Sequence, residues 1–133
     1  MCDTHPIVPN KYRGTIFYHL VFKELITASL YRGTVTYQKI AYSIGLPSTG
    51  NRMGAEIGHL LGEISEDEFK QDRPMLSAVA VNNSGQPGPG FYLLAEHLGK
   101  LGENSTKEEK ARFWEKEREE VYKKWKIKKN SSK

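Results

Sequence analysis

Between Thr36 and Leu61 the chain carries two apolar helical stripes separated by one sharp break, and this pairing constrains the fold more than any other feature. Ile40, Ala41 and Ile44 give the buried stripe of a short helix, and Thr36 stands where its hydroxyl can cap the helix N-terminus. Gly45-Leu46-Pro47 closes that helix, because glycine suits a helix exit and proline prevents continuation. Ser48-Thr49-Gly50-Asn51 reads as a turn that also supplies hydroxyl caps. The second helix runs to about Leu61 and buries Met53, Ile57, Leu60 and Leu61. Two short helices joined by a tight turn are the minimum for a helix-turn-helix. Gly54 and Gly58 leave one side of the second helix thin. Each interior glycine costs about 1 kcal/mol against alanine, a cost that close approach of another backbone or a ligand would explain.

The flanks supply the rest of a domain. Residues 1–13 read as an irregular lead-in containing Pro6 and Pro9. From Thr15 to Gly33 the spacing predicts a helix, with Phe17, Val21, Leu25 and Ala28 on one face and Ile16 and Leu20 widening it. Thr34-Val35 predicts a short strand. Glu63 to Arg73 reads as a polar connection, with room for one helical turn from Ser65, where Ser65 and Glu68 have capping-box spacing. Pro74 to Val81 reads as a strand, Asn82-Asn83-Ser84-Gly85 as a turn, and Gln86 to Gly90 as a rigid Pro/Gly loop. Helices follow at Phe91 to Leu101 and after a Thr106 cap, the latter with Trp114, Val121 and Trp125 as its stripe. The expected architecture is α+β, mostly α: a winged helix-turn-helix with a small sheet and extra N- and C-terminal helices. One domain over residues 14–129 is expected, with a disordered tail at 130–133.

Composition excludes several classes. With 133 residues the chain has room for one core and too few for two ordinary domains. No apolar run approaches the ~20 residues of a membrane span, and no signal peptide is visible, so a soluble, cytoplasmic protein is expected. The single cysteine, Cys2, rules out an intrachain disulfide and a thiolate zinc cluster. His5, His19, His59 and His97 are too far apart in sequence to pair on one helix face as metal ligands. Gly85 to Gly90 lacks the Gly-Lys-Ser/Thr ending of a nucleotide loop, and its two prolines remove donors. The acidic runs Glu66-Asp67-Glu68 and Glu119-Glu120 read as solvated faces. Neither a metal nor a cofactor is expected. A net charge of +4 permits binding to a polyanion without requiring it.

The segment Gly33-Thr34-Val35-Thr36-Tyr37-Gln38-Lys39-Ile40-Ala41 resembles the start of the DNA-binding domain of alkylguanine-DNA alkyltransferases and alkyltransferase-like proteins. Ile44-Gly45-Leu46-Pro47 is similar to that family's Ile-Gly-Asn-Pro, and Arg52 to Leu61 to its recognition helix. Pro74 to Val81 with Ser84-Gly85 resembles its strand-and-turn segment, so the likeness spans roughly Gly33 to Gly90. The departures fall on the chemistry. Where the family has Pro-Cys-His-Arg, this chain reads Leu76-Ser77-Ala78-Val79-Ala80-Val81. Leu46 replaces the hinge asparagine. Ala55 occupies the register of the intercalating arginine, with Arg52 three residues earlier. The resemblance therefore implies a DNA-binding scaffold without the alkyl-accepting thiol.

The expected function is non-catalytic binding of duplex DNA, with Arg52 to Leu61 entering a groove. Tyr37 and Gln38 would hold a phosphate, as the surroundings of the matching tyrosine do in the family. Thr36, Ser48, Thr49, Asn51 and Arg52 would add phosphate or base-edge contacts. His59 is the histidine placed to touch DNA, and Asn82, Asn83 and Ser84 would form a wing tip. The second reading is a protein-interaction module, docking a partner on the glycine-thin helix or the acidic connection. No small-molecule substrate and no membrane partner is expected.

Overall fold

The computed structural model describes residues 7–46 and 51–126. Its elements are helix α1 (Ile16–Leu30), strand β1 (Val35–Thr36), helix α2 (Tyr37–Ser43), helix α3 (Asn51–Lys70), a 3-10 turn (Leu76–Val79), strand β2 (Ala80–Val81), helix α4 (Pro89–His97) and helix α5 (Lys107–Trp125). The protein is mostly helical, with one small sheet in which β1 and β2 run parallel, Val35 opposite Ala80 and Thr36 opposite Val81.

Local chemistry accounts for the helix starts. Thr15, Thr36 and Thr106 are N-caps whose hydroxyls accept the amides of Tyr18, Lys39 and Glu109. Thr106 and Glu109 form a full capping box, the Glu109 carboxylate accepting the Thr106 amide. Pro89 occupies the first turn of α4, where a missing N–H costs nothing, so the helix begins two residues before the expected Phe91. On α1 the buried stripe is Val21, Leu25 and Ser29. Val21 and Leu25 of the expected stripe are fully buried and Ala28 packs against the core, whereas Phe17 at 40% and Ile16 at 63% exposure lie outside it.

Two expectations are corrected. The second helix does not stop near Leu61; α3 continues through the supposed polar connection to Lys70. Three of its carboxylates point inward: Glu63, Glu66 and Glu68 are buried beside the apolar Ile57, Leu60, Leu61 and Ile64. Hydrophobic periodicity misses this continuation because partners supplied by other segments satisfy those carboxylates. Ser65 caps nothing; its hydroxyl donates to Ser77 Oγ and accepts the Ser77 amide.

The second correction concerns Pro74 to Val81, where only Ala80 and Val81 are strand. Leu76–Val79 is a buried 3-10 turn at the centre of the molecule, packed by α1, α3 and α5. An apolar run can be strand or buried helix, and here the partners decide. The segment's backbone is satisfied by side chains instead of a neighbouring strand. Glu117 accepts the Met75 amide, Ser65 accepts the Ser77 amide, and Trp114 Nε1 donates to the Ala78 carbonyl. The turn expected at Asn82 to Gly85 forms, with the Asn82 amide donating to the Gln86 carbonyl, and no antiparallel hairpin occurs among the described residues.

Candidate functional site

The two-residue sheet brings the start of α2 and the 82–86 turn to one place, because Thr36 pairs with Val81. Beside this junction a cavity of about 330 Å³ opens between α3 and the start of α4. One wall is the thin side of α3: Gly54, Ala55, Gly58, Leu61 and Gly62. The opposite wall is Gly88, Pro89, Gly90, Phe91 and Leu94. Gly54, Ala55 and Gly58 are exposed, so the α3 edge leads from solvent into the cavity. A Cβ at Gly54 or Gly58 would meet nothing within 4 Å. The missing side chains leave open space there, and no packing clash requires their absence.

Tyr37 and Ser77 are the hydroxyl-bearing residues of the cavity lining. Tyr37 Oη accepts the Gly88 amide at 2.6 Å, and a Cβ at Gly88 would lie 3.0 Å from that oxygen. A side chain at position 88 would crowd the tyrosine oxygen, which would have to give way. Burial raises the Tyr37 pKa above the ordinary phenol value, although the Gly88 N–H pulls it down. The phenol therefore stays protonated at neutral pH. Ser77 Oγ accepts from Ser65 at 2.7 Å. Each hydroxyl accepts in these bonds and retains one proton as a donor. No His, Cys, Lys, Asp or Glu lines the cavity among the described residues.

The sequence-expected residues divide into three groups. Tyr37 lies in the cavity wall, and Gln38 follows it in the first turn of α2. Thr36 is held as the α2 cap, and Asn82 Oδ1 ties its own turn by accepting from the Ser84 amide, the Ser84 hydroxyl and the Gln86 amide. Asn83 is exposed at the turn tip. His59 faces the lead-in, its Nε2 lying 2.8 Å from the Pro9 carbonyl and 3.1 Å from Glu63. Ser48 and Thr49 lie outside the described residues, as do the side chains of Asn51 and Arg52. Sequence reasoning missed Ser77 and Gly88 as wall residues. The Pro/Gly run at 86–90 signalled rigidity but not which tyrosine it would close upon.

The acidic stretch of α3 is the other polar centre. Glu66 accepts the amides of Ile7 and Val8, and Glu63 accepts those of Lys11, Tyr12 and Arg13. Arg13 also pairs with Glu66 at 2.8 Å and Asp67 at 3.0 Å. Burial pushes the Glu66 carboxyl up, but the Val8 and Ile7 amides, Arg13 and Lys70 outweigh it and hold the pKa below the usual carboxylate value. The expectation of a solvated acidic face is therefore wrong for this stretch.

Fold and site together define a mostly helical domain with a small parallel sheet and an apolar, hydroxyl-bearing cavity beside a glycine-thin helix edge. No helix among the described residues is long and apolar enough to cross a membrane, and no His/Cys/Asp/Glu group there could hold a metal. No family model, curated protein or solved structure matches the chain.

Proposed function

We propose that this protein binds duplex DNA without catalysis, presenting the N-terminal half of α3 to a groove, and that the adjoining cavity receives one unstacked base. The observation that carries this reading is the exposed Gly54-Ala55-Gly58 edge, which opens directly into the cavity. An edge without side chains permits close backbone approach. The cavity is at the small end of the ~300–1,000 Å³ range of ligand pockets. Its apolar walls suit the faces of a flat ring, and its two hydroxyl protons suit acceptors on the ring's edge. The resemblance of Gly33 to Gly90 to the alkyltransferase DNA-binding domain supports the same orientation of α2 and α3. A helix-turn-helix of the winged-helix kind is part of this proposal, with the 82–86 turn in the place of a wing.

The non-catalytic reading follows from the cavity's chemistry. Alkyl transfer needs a thiolate or another nucleophile activated by a base. Among the described residues Ser65 is the side chain that hydrogen-bonds Ser77, and the described lining holds no base.

The second reading, a protein partner, draws on the same exposed glycine edge. The acidic connection no longer supports it, since Glu63, Glu66 and Glu68 are buried. Titration with a fluorescent duplex containing 2-aminopurine separates the two. Duplex binding that weakens steeply with salt, with a rise in 2-aminopurine emission, is the expected result. No duplex binding at low salt would overturn the proposal and favour a protein partner.

A further inference from the structure

We propose that His59 is a specificity-determining residue of the α3 face, its ring nitrogen Nδ1 accepting a hydrogen bond from an exocyclic amino group of a base in the groove. The inference rests on the duplex-binding reading above and names the chemistry of one of its contacts. His59 follows the exposed Gly58 and lies one turn beyond the exposed Ala55, so it borders the edge that the groove would meet.

The partners of the ring fix its tautomer. Nε2 lies 2.8 Å from the Pro9 carbonyl and 3.1 Å from a Glu63 carboxylate oxygen. Both groups only accept, so Nε2 carries the proton, and in the neutral ring Nδ1 is the acceptor. Nδ1 makes no hydrogen bond with the described residues. Trp125 Nε1 is the one buried side-chain nitrogen or oxygen there that lacks a partner, so Nδ1 reaches solvent. Tyr12 adds an edge-on ring contact at 6.4 Å between centroids. The imidazole is thus held by three neighbours, with one acceptor left over.

A fixed acceptor selects its partner by chemistry. Phosphate oxygens also only accept, so Nδ1 has nothing to offer them. The donors that a duplex shows in its grooves are amino groups: those of adenine and cytosine in the major groove and that of guanine in the minor groove. A keto oxygen in the same place would set acceptor against acceptor.

Two measurements test the contact. Nitrogen–proton correlation NMR of the free protein, at a mildly alkaline pH where an ordinary imidazole is neutral, should show the Nε2–H tautomer. An Nδ1–H tautomer or a doubly protonated ring would overturn the proposal, and this measurement needs no variant. The second measurement pairs base analogues with His59→Phe, which keeps a ring and removes both nitrogens. One probe pair is an A·T duplex and the same duplex with purine in place of adenine, which deletes the major-groove amino group. The other is a mixed-sequence duplex with and without inosine in place of guanine, which deletes the minor-groove one. The wild-type protein should lose about threefold to tenfold in affinity in one pair, the loss expected of one hydrogen bond, and that pair identifies the groove. His59→Phe should bind the unmodified duplex more weakly by the same factor and lose nothing further. Wild-type affinity indifferent to both deletions, or an equal loss in His59→Phe, would refute the role of His59 while leaving duplex binding intact. Failure of the wild-type protein to bind any of the duplexes would instead refute the duplex-binding reading, and this inference with it.

Discussion

Three glycines on one helix, spaced four apart, behave differently because of what each one faces. Gly54 and Gly58 look into open space, whereas Gly62 abuts Val8. Gly54→Ala and Gly58→Ala should each raise stability by roughly 0.5–1 kcal/mol, because alanine removes backbone entropy from the unfolded chain without a clash. Both should weaken duplex binding, since they thicken the edge of the cavity. Gly62→Ala should lose stability relative to those two, as Val8 must give way. Urea unfolding midpoints would rank the three; equal gains at all three positions would contradict this account. Tyr37→Phe removes the acceptor of the Gly88 amide and should cost about 1 kcal/mol. Its larger effect should be on base capture, read as a smaller rise in 2-aminopurine emission. The thin face of α3 was legible at this scale, because two interior glycines in an amphipathic helix demand a reason. The identity of the opposite wall was not, since nothing in the sequence links Tyr37 to Gly88.

Helix α3 was half legible as an element. Its first turns follow apolar periodicity, but its continuation to Lys70 relies on carboxylates that bind chain 50 or more residues away. This arrangement gives the element a pH signature. The folded pKa of Glu66 lies below its unfolded value of about 4.5. Its contribution is therefore fully present above the unfolded value and is lost as pH falls through the folded one. Stability measured by denaturant between about pH 3 and pH 7 should decline on the acid side, and Glu66→Gln should flatten that decline. An unchanged acid slope in the variant would show that other carboxylates govern it. Helix α5 holds the central 3-10 turn in place of a neighbouring strand. Glu117 accepts the Met75 amide and pairs with Lys100 at 2.5 Å. Glu117→Ala should cost roughly 3 kcal/mol, because it strands a buried amide and a partly buried ammonium group. Thermal melting would measure the loss, and a shift within error of zero would remove Glu117 from the framework.

Considered as a whole molecule, the protein should show two behaviours that no single element confers. Affinity for mixed-sequence duplex should fall with salt along a log–log slope of about −0.9 for each phosphate neutralised. Incubation with an alkylguanine oligonucleotide should leave residues 74–81 at unchanged mass, because the cavity offers Ser77 no base. An added alkyl mass on that segment would refute the non-catalytic reading. An adduct on Cys2 that also forms on the unfolded chain would be nonspecific thiol chemistry.

The sequence by itself determined where the threonine-capped helices begin and which residues could not do certain chemistry. Threonine caps, the Gly45-Leu46-Pro47 break and the apolar stripes are short-range signals, written within one or two turns of the residues they control. The presence of one cysteine excluded a disulfide without any need for coordinates. Only the tertiary structure decided what the polar and the uniformly apolar stretches became. Glu66 reads as part of a solvated face, and Glu63 as the start of a polar connection, until the amides of residues 7–13 are brought to them. Leu76 to Val79 reads as a strand until side chains from α3 and α5 take its backbone groups. A buried polar group is stable or ruinous according to its partner, and a buried apolar run is helix or strand according to where its hydrogen bonds end. Those partners lie tens of residues away in sequence, so folding alone assembles them.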